Sequence, residues 1–118
     1  MAGELVWFEL GVEDVERGRA FYENLFGWRF DPGPSGSGFV IESPNVRGGM
    51  HGGDAGAAPY VFFKVDDMGV ALERVRELGG TVDEIDAEGD EESVAKFGRF
   101  KLCRDDQGSL FGLHQPPA

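Results

Sequence analysis

Val6-Trp7-Phe8-Glu9-Leu10-Gly11-Val12-Glu13-Asp14, carried through Val15 to Leu25 and closed by Gly27-Trp28-Arg29-Phe30, reads as strand, helix, strand. Val6, Phe8 and Leu10 alternate with Leu5, Trp7 and Glu9, the period-two signal of a strand with two unlike faces. Asp14 suits a helix N-cap, because its carboxylate can accept from the free N–H groups of the first turn. Gly18, Phe21, Tyr22 and Leu25 recur at helical spacing and predict the apolar stripe, and Gly27 suits the left-handed position that ends a helix.

The chain does this twice. Displaced along the numbering, Leu5 to Arg29 falls on Ala58 to Val82, so that Trp7 meets Tyr60, Val12 meets Val65, Asp14 meets Asp67, Leu25 meets Leu78 and Gly27 meets Gly80. The second copy predicts a strand from Tyr60 to Val65, a cap at Asp66 or Asp67, and a helix to Leu78 stopped by Gly79-Gly80. Its expected buried stripe is Met68, Ala71, Leu72, Val75 and Leu78. Two copies of one unit make a paired module rather than a solenoid.

Around these units the remaining segments fall into order. Asp31 to Gly38 is dense in turn formers and predicts a hairpin connection, with Phe39 to Glu42 a short strand after it. Arg47-Gly48-Gly49-Met50-His51-Gly52-Gly53 predicts a fourth strand with little side-chain cover, and Asp54 to Pro59 a link between halves. The second half predicts a strand at Thr81 to Ile85, then one at Arg99 to Arg104. A turn at Asp105-Asp106-Gln107-Gly108 and a last strand from Ser109 to His114 complete it. The predicted topology is strand, helix and three strands, twice over: an α+β chain of two βαβββ modules, about 4–54 and about 58–116, in a single domain spanning residues 1–118.

Composition narrows the function. Twenty-two acidic against 11 basic residues give a net charge of −11, which argues against nucleic acid and anionic membrane surfaces as partners. Asp83, Glu84, Asp86, Glu88, Asp90, Glu91 and Glu92 concentrate that charge in a run expected to be a solvated connector; its alternative use is attraction of cationic ligands. No apolar run is long enough to span a bilayer and no signal-peptide pattern opens the chain, so a cytoplasmic location is expected. A single Cys103 fits a buried strand thiol and excludes an internal disulfide or a cysteine zinc cluster. No Ser-His-Asp order, phosphate loop or dinucleotide fingerprint is present.

Val12-Glu13-Asp14 running into Phe21-Tyr22-Glu23-Asn24-Leu25-Phe26-Gly27-Trp28 resembles the opening helix signature of the vicinal oxygen chelate superfamily. Val65-Asp66-Asp67 into Leu78-Gly79-Gly80, and Asp105-Asp106-Gln107-Gly108 before the final strand, are similar to it as well. That group includes glyoxalase I, bleomycin-resistance proteins, fosfomycin-resistance enzymes and extradiol dioxygenases. The resemblance implies a curled mixed sheet around a cleft, with metal ligands, where metal is used, on the first and last strands of each module. Those positions here are Trp7, Tyr60, Gly112 and, with the register open, Met50 or His51. Indole does not ligate metals, glycine has no side chain and a thioether suits hard ions poorly. The expectation is therefore no metal and no other cofactor, with His51 as the weak metal candidate.

Strand alternation places Val6, Phe8 and Leu10, Val61, Phe63 and Val65, and Phe111 and Leu113 toward the helices. The opposite faces carry Leu5, Trp7 and Glu9; Tyr60, Phe62 and Lys64; and Leu110, Gly112 and His114. Trp7, Tyr60 and Phe62 either fill a closed barrel or line a cleft that stacks on a planar or cationic ligand, with Glu9 holding a positive group. His51 and His114 are either surface or satisfied polar residues or, with Glu9, acid–base groups.

The first expectation is thus a small-molecule binding protein of the glyoxalase/bleomycin-resistance type. Its ligand-binding candidates are Trp7, Glu9, Tyr60, Phe62, Leu110, Gly112 and His114, and its ligand is aromatic or cationic. The alternative is a glyoxalase-like lyase or dioxygenase-type enzyme using an atypical metal site or Glu9/His51 acid–base chemistry. A homodimer is expected, with Val46, Met50 and Phe97 as interface candidates.

Overall fold

The computed structural model describes residues 2–34, 37–83 and 91–118. Its elements run β1 (Leu5–Gly11), α1 (Val15–Phe26), β2 (Arg29–Pro32), β3 (Phe39–Glu42) and β4 (Arg47–His51). They continue with β5 (Tyr60–Lys64), α2 (Met68–Glu77), β6 (Thr81–Val82), α3 (Glu91–Phe97), β7 (Arg99–Arg104) and β8 (Leu110–Gln115). The chain is α+β, with parallel pairing of β1 with β4 and of β5 with β8, and antiparallel pairing of β2 with β3, β3 with β4, β6 with β7 and β7 with β8. It divides into two compact units, Trp7–Tyr60 and Met1–Val6 with Val61–Ala118.

In the first unit the hydrogen-bonded order is β2-β3-β4-β1. Asp14 caps α1 as its sequence position requires, accepting from the N–H groups of Glu16 at 3.0 Å and Arg17 at 3.2 Å. Gly27 ends the helix at φ 74°, a left-handed conformation that glycine adopts without a Cβ clash, and its N–H donates to the Glu23 carbonyl. The core is Leu10, Ile41 and Met50, flanked by Phe8, Val12, Val15, Tyr22, Trp28, Phe30 and Phe39. Gly18 lets α1 approach this core, since a Cβ there would lie 3.0 Å from the Met50 sulfur.

The predicted stripe of α1 needs a correction. Val15 and Tyr22 pack inward, but Phe21 and Leu25 are exposed. The inward face follows positions 15, 18 and 22, and Trp28 stacks on Tyr22 at 5.8 Å. That packing leaves the 21/25 side of the helix facing out.

In the second unit the order is β5-β8-β7-β6, with residues 3 and 4 bonded to Lys64 of β5. Asp67 caps α2 by accepting from Val70 N–H at 3.0 Å, while Gln115 of β8 accepts from Met68 N–H at 2.7 Å. Val65, Met68, Cys103 and Leu113 form the core with Ala71, Leu72, Val75, Val82 and Phe111. Leu78, expected in the stripe, is instead exposed beyond the helix end. Cys103 is buried, as its strand position implied.

The second unit also departs from a plain βαβββ order. Glu91 and Glu92, expected in the connector, open the helix α3, where acidic side chains favour the positive N-terminal end of the dipole. Glu84, Asp86, Glu88 and Asp90 lie outside the described residues, as do Ser35 and Gly36 of the first-half hairpin connection.

On the other face of this unit Gly112 lies beneath Phe62, whose ring a Cβ at position 112 would overlap. Gly112→Ala is therefore expected to cost about 1–3 kcal/mol, the usual penalty for forcing volume into a packed site. Gly69→Ala, where the Cβ would meet only Asp67 Oδ1 at 3.5 Å, should instead stabilise α2 by up to about 1 kcal/mol. Urea unfolding of the two variants checks this, and equal effects would contradict the packing described.

Candidate functional site

The site builds from the register of β1 against β4. Trp7 pairs with Arg47, Glu9 with Gly49 and Gly11 with His51, while Phe8 and Leu10 pair with Gly48 and Met50 on the opposite face. This resolves the Met50/His51 ambiguity. Met50 is a core residue, 2% exposed, which also removes it from the candidate dimer interface. His51 stands on the face of Trp7 and Glu9.

Four side chains join there in a line. Trp7 Nε1–H donates to Glu9 Oε1 at 3.2 Å. Glu9 Oε2 meets His51 Nδ1 at 2.7 Å, and His51 Nε2 meets Asp54 Oδ2 at 2.8 Å. The glycines opposite give the carboxylates their room. A Cβ at Gly49 would lie 2.6 Å from Glu9 Oε1, and one at Gly11 would lie 2.7 Å from Asp54 Oδ2. Asp54 is held by a tight turn in which Gly53 N–H donates to the Glu13 carbonyl and Asp54 N–H to the Val12 carbonyl, both at 3.0 Å. Gly53 makes the turn possible at φ 67°.

The exposure of these side chains rises along the line, from 18% at Glu9 through 36% at His51 to 47% at Asp54. The network therefore runs from the interior to solvent, and its outer end is accessible to a ligand. With a carboxylate at each ring nitrogen, His51 is held as an imidazolium. The Glu9 hydrogen bond is the largest cause, Asp54 adds to it, and together they outweigh partial burial and push its pKa up to about 9. The charges of the line then sum to one net negative charge. Burial first, and then the Glu9 and Asp54 charges, push the Tyr60 phenol above its ordinary range, so it stays a neutral hydroxyl.

The remaining predicted site residues gather in the second unit, and there they pack on one another. Phe62 meets Phe100 edge-on at 5.2 Å, and Phe100 stacks on His114 at 4.3 Å. Burial lowers the pKa of His114, and its Nε2–H donates to the Phe97 carbonyl at 2.5 Å, so the ring is neutral. Gly112 carries the Phe62 ring. Leu110, at the start of β8, is exposed. Asp54 was missed by sequence reasoning, which placed it in a linker; the i, i+3 spacing of His51-Gly52-Gly53-Asp54 was the available signal.

The donors present do not fit the divalent metal that the superfamily resemblance implies. Trp7 is committed to Glu9, Met50 is in the core and Gly112 is covered by Phe62. Among the described residues no three His, Cys, Asp or Glu side chains converge on one point. In the Glu9–His51–Asp54 line the imidazolium occupies the space between the carboxylates. Elemental analysis of purified protein is expected to find well under one equivalent of zinc, nickel, iron or manganese per chain.

The pH dependence follows from His51. Its folded pKa lies above its ordinary value of 6.5. The clamp's contribution to stability is thus full below pH 6.5 and is lost as pH rises through about 9. His51→Gln should remove that slope, and NMR titration of the His51 ring gives the midpoint directly. A ring titrating near its ordinary value would contradict the clamp.

Comparison with known proteins adds sequence and fold evidence. A family model described as bleomycin resistance protein-like N-terminal matches residues 4–42. No curated protein matches the chain in sequence. Among solved structures, methylmalonyl-CoA epimerase from Mycobacterium tuberculosis is similar at 16% identity and TM-score 0.64, covering 98% of this chain and 89% of that one. A glyoxalase/bleomycin resistance protein/dioxygenase superfamily member from Vibrio splendidus is 16% identical at TM-score 0.63, covering 96% and 98%. A hypothetical protein from Bacillus halodurans is 11% identical at TM-score 0.68, covering 98% and 96%. At these identities the structural likeness speaks for the fold alone.

Proposed function

We propose that this chain, whose residues 4–42 match a bleomycin resistance protein-like model and whose fold is shared with a glyoxalase/bleomycin resistance protein/dioxygenase superfamily member, is a small-molecule binding protein of that superfamily taking an aromatic or cationic ligand at the Trp7–Glu9–His51–Asp54 line. The observation that carries this reading is the line itself: two carboxylates, partly exposed, with one imidazolium between them and an indole at the inner end. The surplus negative charge favours a cation, and partial burial of Glu9 strengthens that attraction relative to water. The half-buried, neutral Tyr60 phenol supplies aromatic and hydrogen-bonding surface of the kind that small-molecule sites use, and Trp7, 8% exposed, presents only the edge of its indole at the inner end. The net charge of −11 draws cations toward the molecule as a whole.

Proton transfer by Glu9 and His51 is the competing reading, and the geometry favours it less. A general base needs an available lone pair near the working pH. An imidazolium has none, and both His51 nitrogens are committed to carboxylates. Glu9 is likewise engaged through both oxygens, by Trp7 and by His51.

Titration with N-methylquinolinium, a planar cation, is expected to quench tryptophan emission saturably. Trp28, packed against Tyr22 and Phe26, provides the constant background. Trp7→Phe should remove most of the quenching. Glu9→Gln should weaken binding of the cation about tenfold, the scale of one charge-assisted contact, and binding of neutral quinoline little. Absence of saturable quenching, or equal loss for cation and neutral ring, would sink the proposal.

A further inference from the structure

We infer, resting on the ligand-binding reading proposed above, that Glu9 and Asp54 together form a seat for a planar cation with diverging N–H donors, a guanidinium or an amidinium. The His51 ring is the built-in occupant of that seat, and such a ligand takes its place. The geometry of the seat is read from its occupant. His51 offers a flat, delocalised cation with an N–H on each side, and the two end on different carboxylates, Glu9 Oε2 at 2.7 Å and Asp54 Oδ2 at 2.8 Å. Those carboxylates come from β1 and from the turn after β4, so each is positioned independently of the ring. Gly49 and Gly11 keep the strands clear beneath them, since a Cβ there would lie 2.6 Å and 2.7 Å from a carboxylate oxygen.

Charge explains why a ligand exchanges with the ring instead of settling beside it. A cation arriving from solvent meets the positive ring before it reaches Glu9, the more buried carboxylate. Binding alongside would set two positive charges against each other, whereas replacing the ring gives the ligand both carboxylates and leaves the charge of the seat unchanged. The ring can leave without disturbing the strand. It is 36% exposed and belongs to the last residue of β4, whose backbone carbonyl is held by the Val12 N–H at 2.9 Å. Gly53 beyond it faces open space, since a Cβ there would meet nothing within 4 Å. Trp7 Nε1–H stays on Glu9 Oε1, so the exchange changes the partner of Oε2 alone.

The donors set the ligand class. A guanidinium is planar, stays charged at neutral pH and carries N–H groups on more than one edge. It can therefore give a carboxylate a two-pronged contact where His51 gives a single N–H. A quaternary ammonium has the same charge and no donor, so it leaves the carboxylates without the hydrogen bonds the ring had supplied. Tyr60, whose phenol stays neutral beside Glu9 and Asp54, offers a hydroxyl and a ring face to an aromatic group attached to the cation.

Calorimetric titration of the full chain with benzylguanidinium and with benzyltrimethylammonium, which share a ring and a charge, separates donors from charge. Benzylguanidinium is expected to bind at least about tenfold more tightly, the scale of one charge-assisted contact. At saturation the NMR signals of the His51 ring N–H groups should leave their hydrogen-bonded positions. His51→Ala empties the seat and should tighten benzylguanidinium at least about tenfold, because the occupant's hydrogen bonds to two charged groups no longer have to be broken. Asp54→Asn should weaken it by a similar factor. Circular dichroism shows whether each variant is folded, and the two wild-type readouts decide the matter alone where one is not. Equal affinity for the two cations, or ring signals unmoved at saturation, overturns the exchange. So does a folded His51→Ala that binds benzylguanidinium no better, or a folded Asp54→Asn that binds it as well as before. In each of those cases saturable quenching by N-methylquinolinium leaves the ligand-binding reading standing. Binding of none of the three cations overturns both.

Discussion

The parallel pairing of β1 with β4 is the constraint on which the first unit depends. Side chains alternate across a strand, so a shift of one residue would exchange every member of both faces. In the observed register Leu10 and Met50 enter the core together, and Glu9 and His51 emerge together on the other side. The same pairing puts glycine opposite Phe8, Glu9 and His51, while Trp7 faces Arg47 and Leu10 faces Met50. Phe8 lies over Gly48, and Glu9 over Gly49. The adjacent Gly48 and Gly49 of the fourth strand are what allow the first strand to carry Phe8 on one face and Glu9 on the other.

Those glycines do different work in the two units. In the second, Gly112 admits the Phe62 ring and the result is a packed aromatic group extending through Phe100 to His114. In the first, Gly49 and Gly11 admit carboxylates, and the result is a polar line reaching solvent. Burying part of Glu9 would be costly alone, but the indole N–H and the imidazolium both donate to it. One backbone plan thus supports a filled face in one unit and a charged face in the other, the difference lying in what stands opposite each glycine.

Much of this order was legible in the sequence. The alternation of Val6 to Leu10, the cap at Asp14 and the stop at Gly27 specify a strand and a helix by local chemistry, and the same holds for Tyr60 to Leu78. What local chemistry does not specify is which neighbour a face meets. Arg47-Gly48-Gly49-Met50-His51 has too few side chains to show alternation, so its register had to come from pairing with β1. Phe21 and Leu25 satisfy helical spacing, but the angle of α1 over the core is set by Gly18 against Met50 and by Trp28 on Tyr22, which no spacing reveals. Glu91 and Glu92 looked like part of an acidic connector because charge composition is the same in a solvated loop and in the first turn of a short helix. Asp54 became a partner of His51 only through a turn closed by hydrogen bonds to Val12 and Glu13.

The end strand β2 of the first unit's order and the end strand β6 of the second's carry a consequence for colloidal behaviour. A strand with an open side is a template for another chain's backbone, and such templates seed fibrous aggregation. β6 has only two residues, Thr81 and Val82, too short to hold a foreign strand in register. β2 has four, beginning with Arg29 and ending with Pro32, whose ring nitrogen offers no N–H and whose neighbourhood carries charge. Both features oppose the addition of a foreign strand at these two edges.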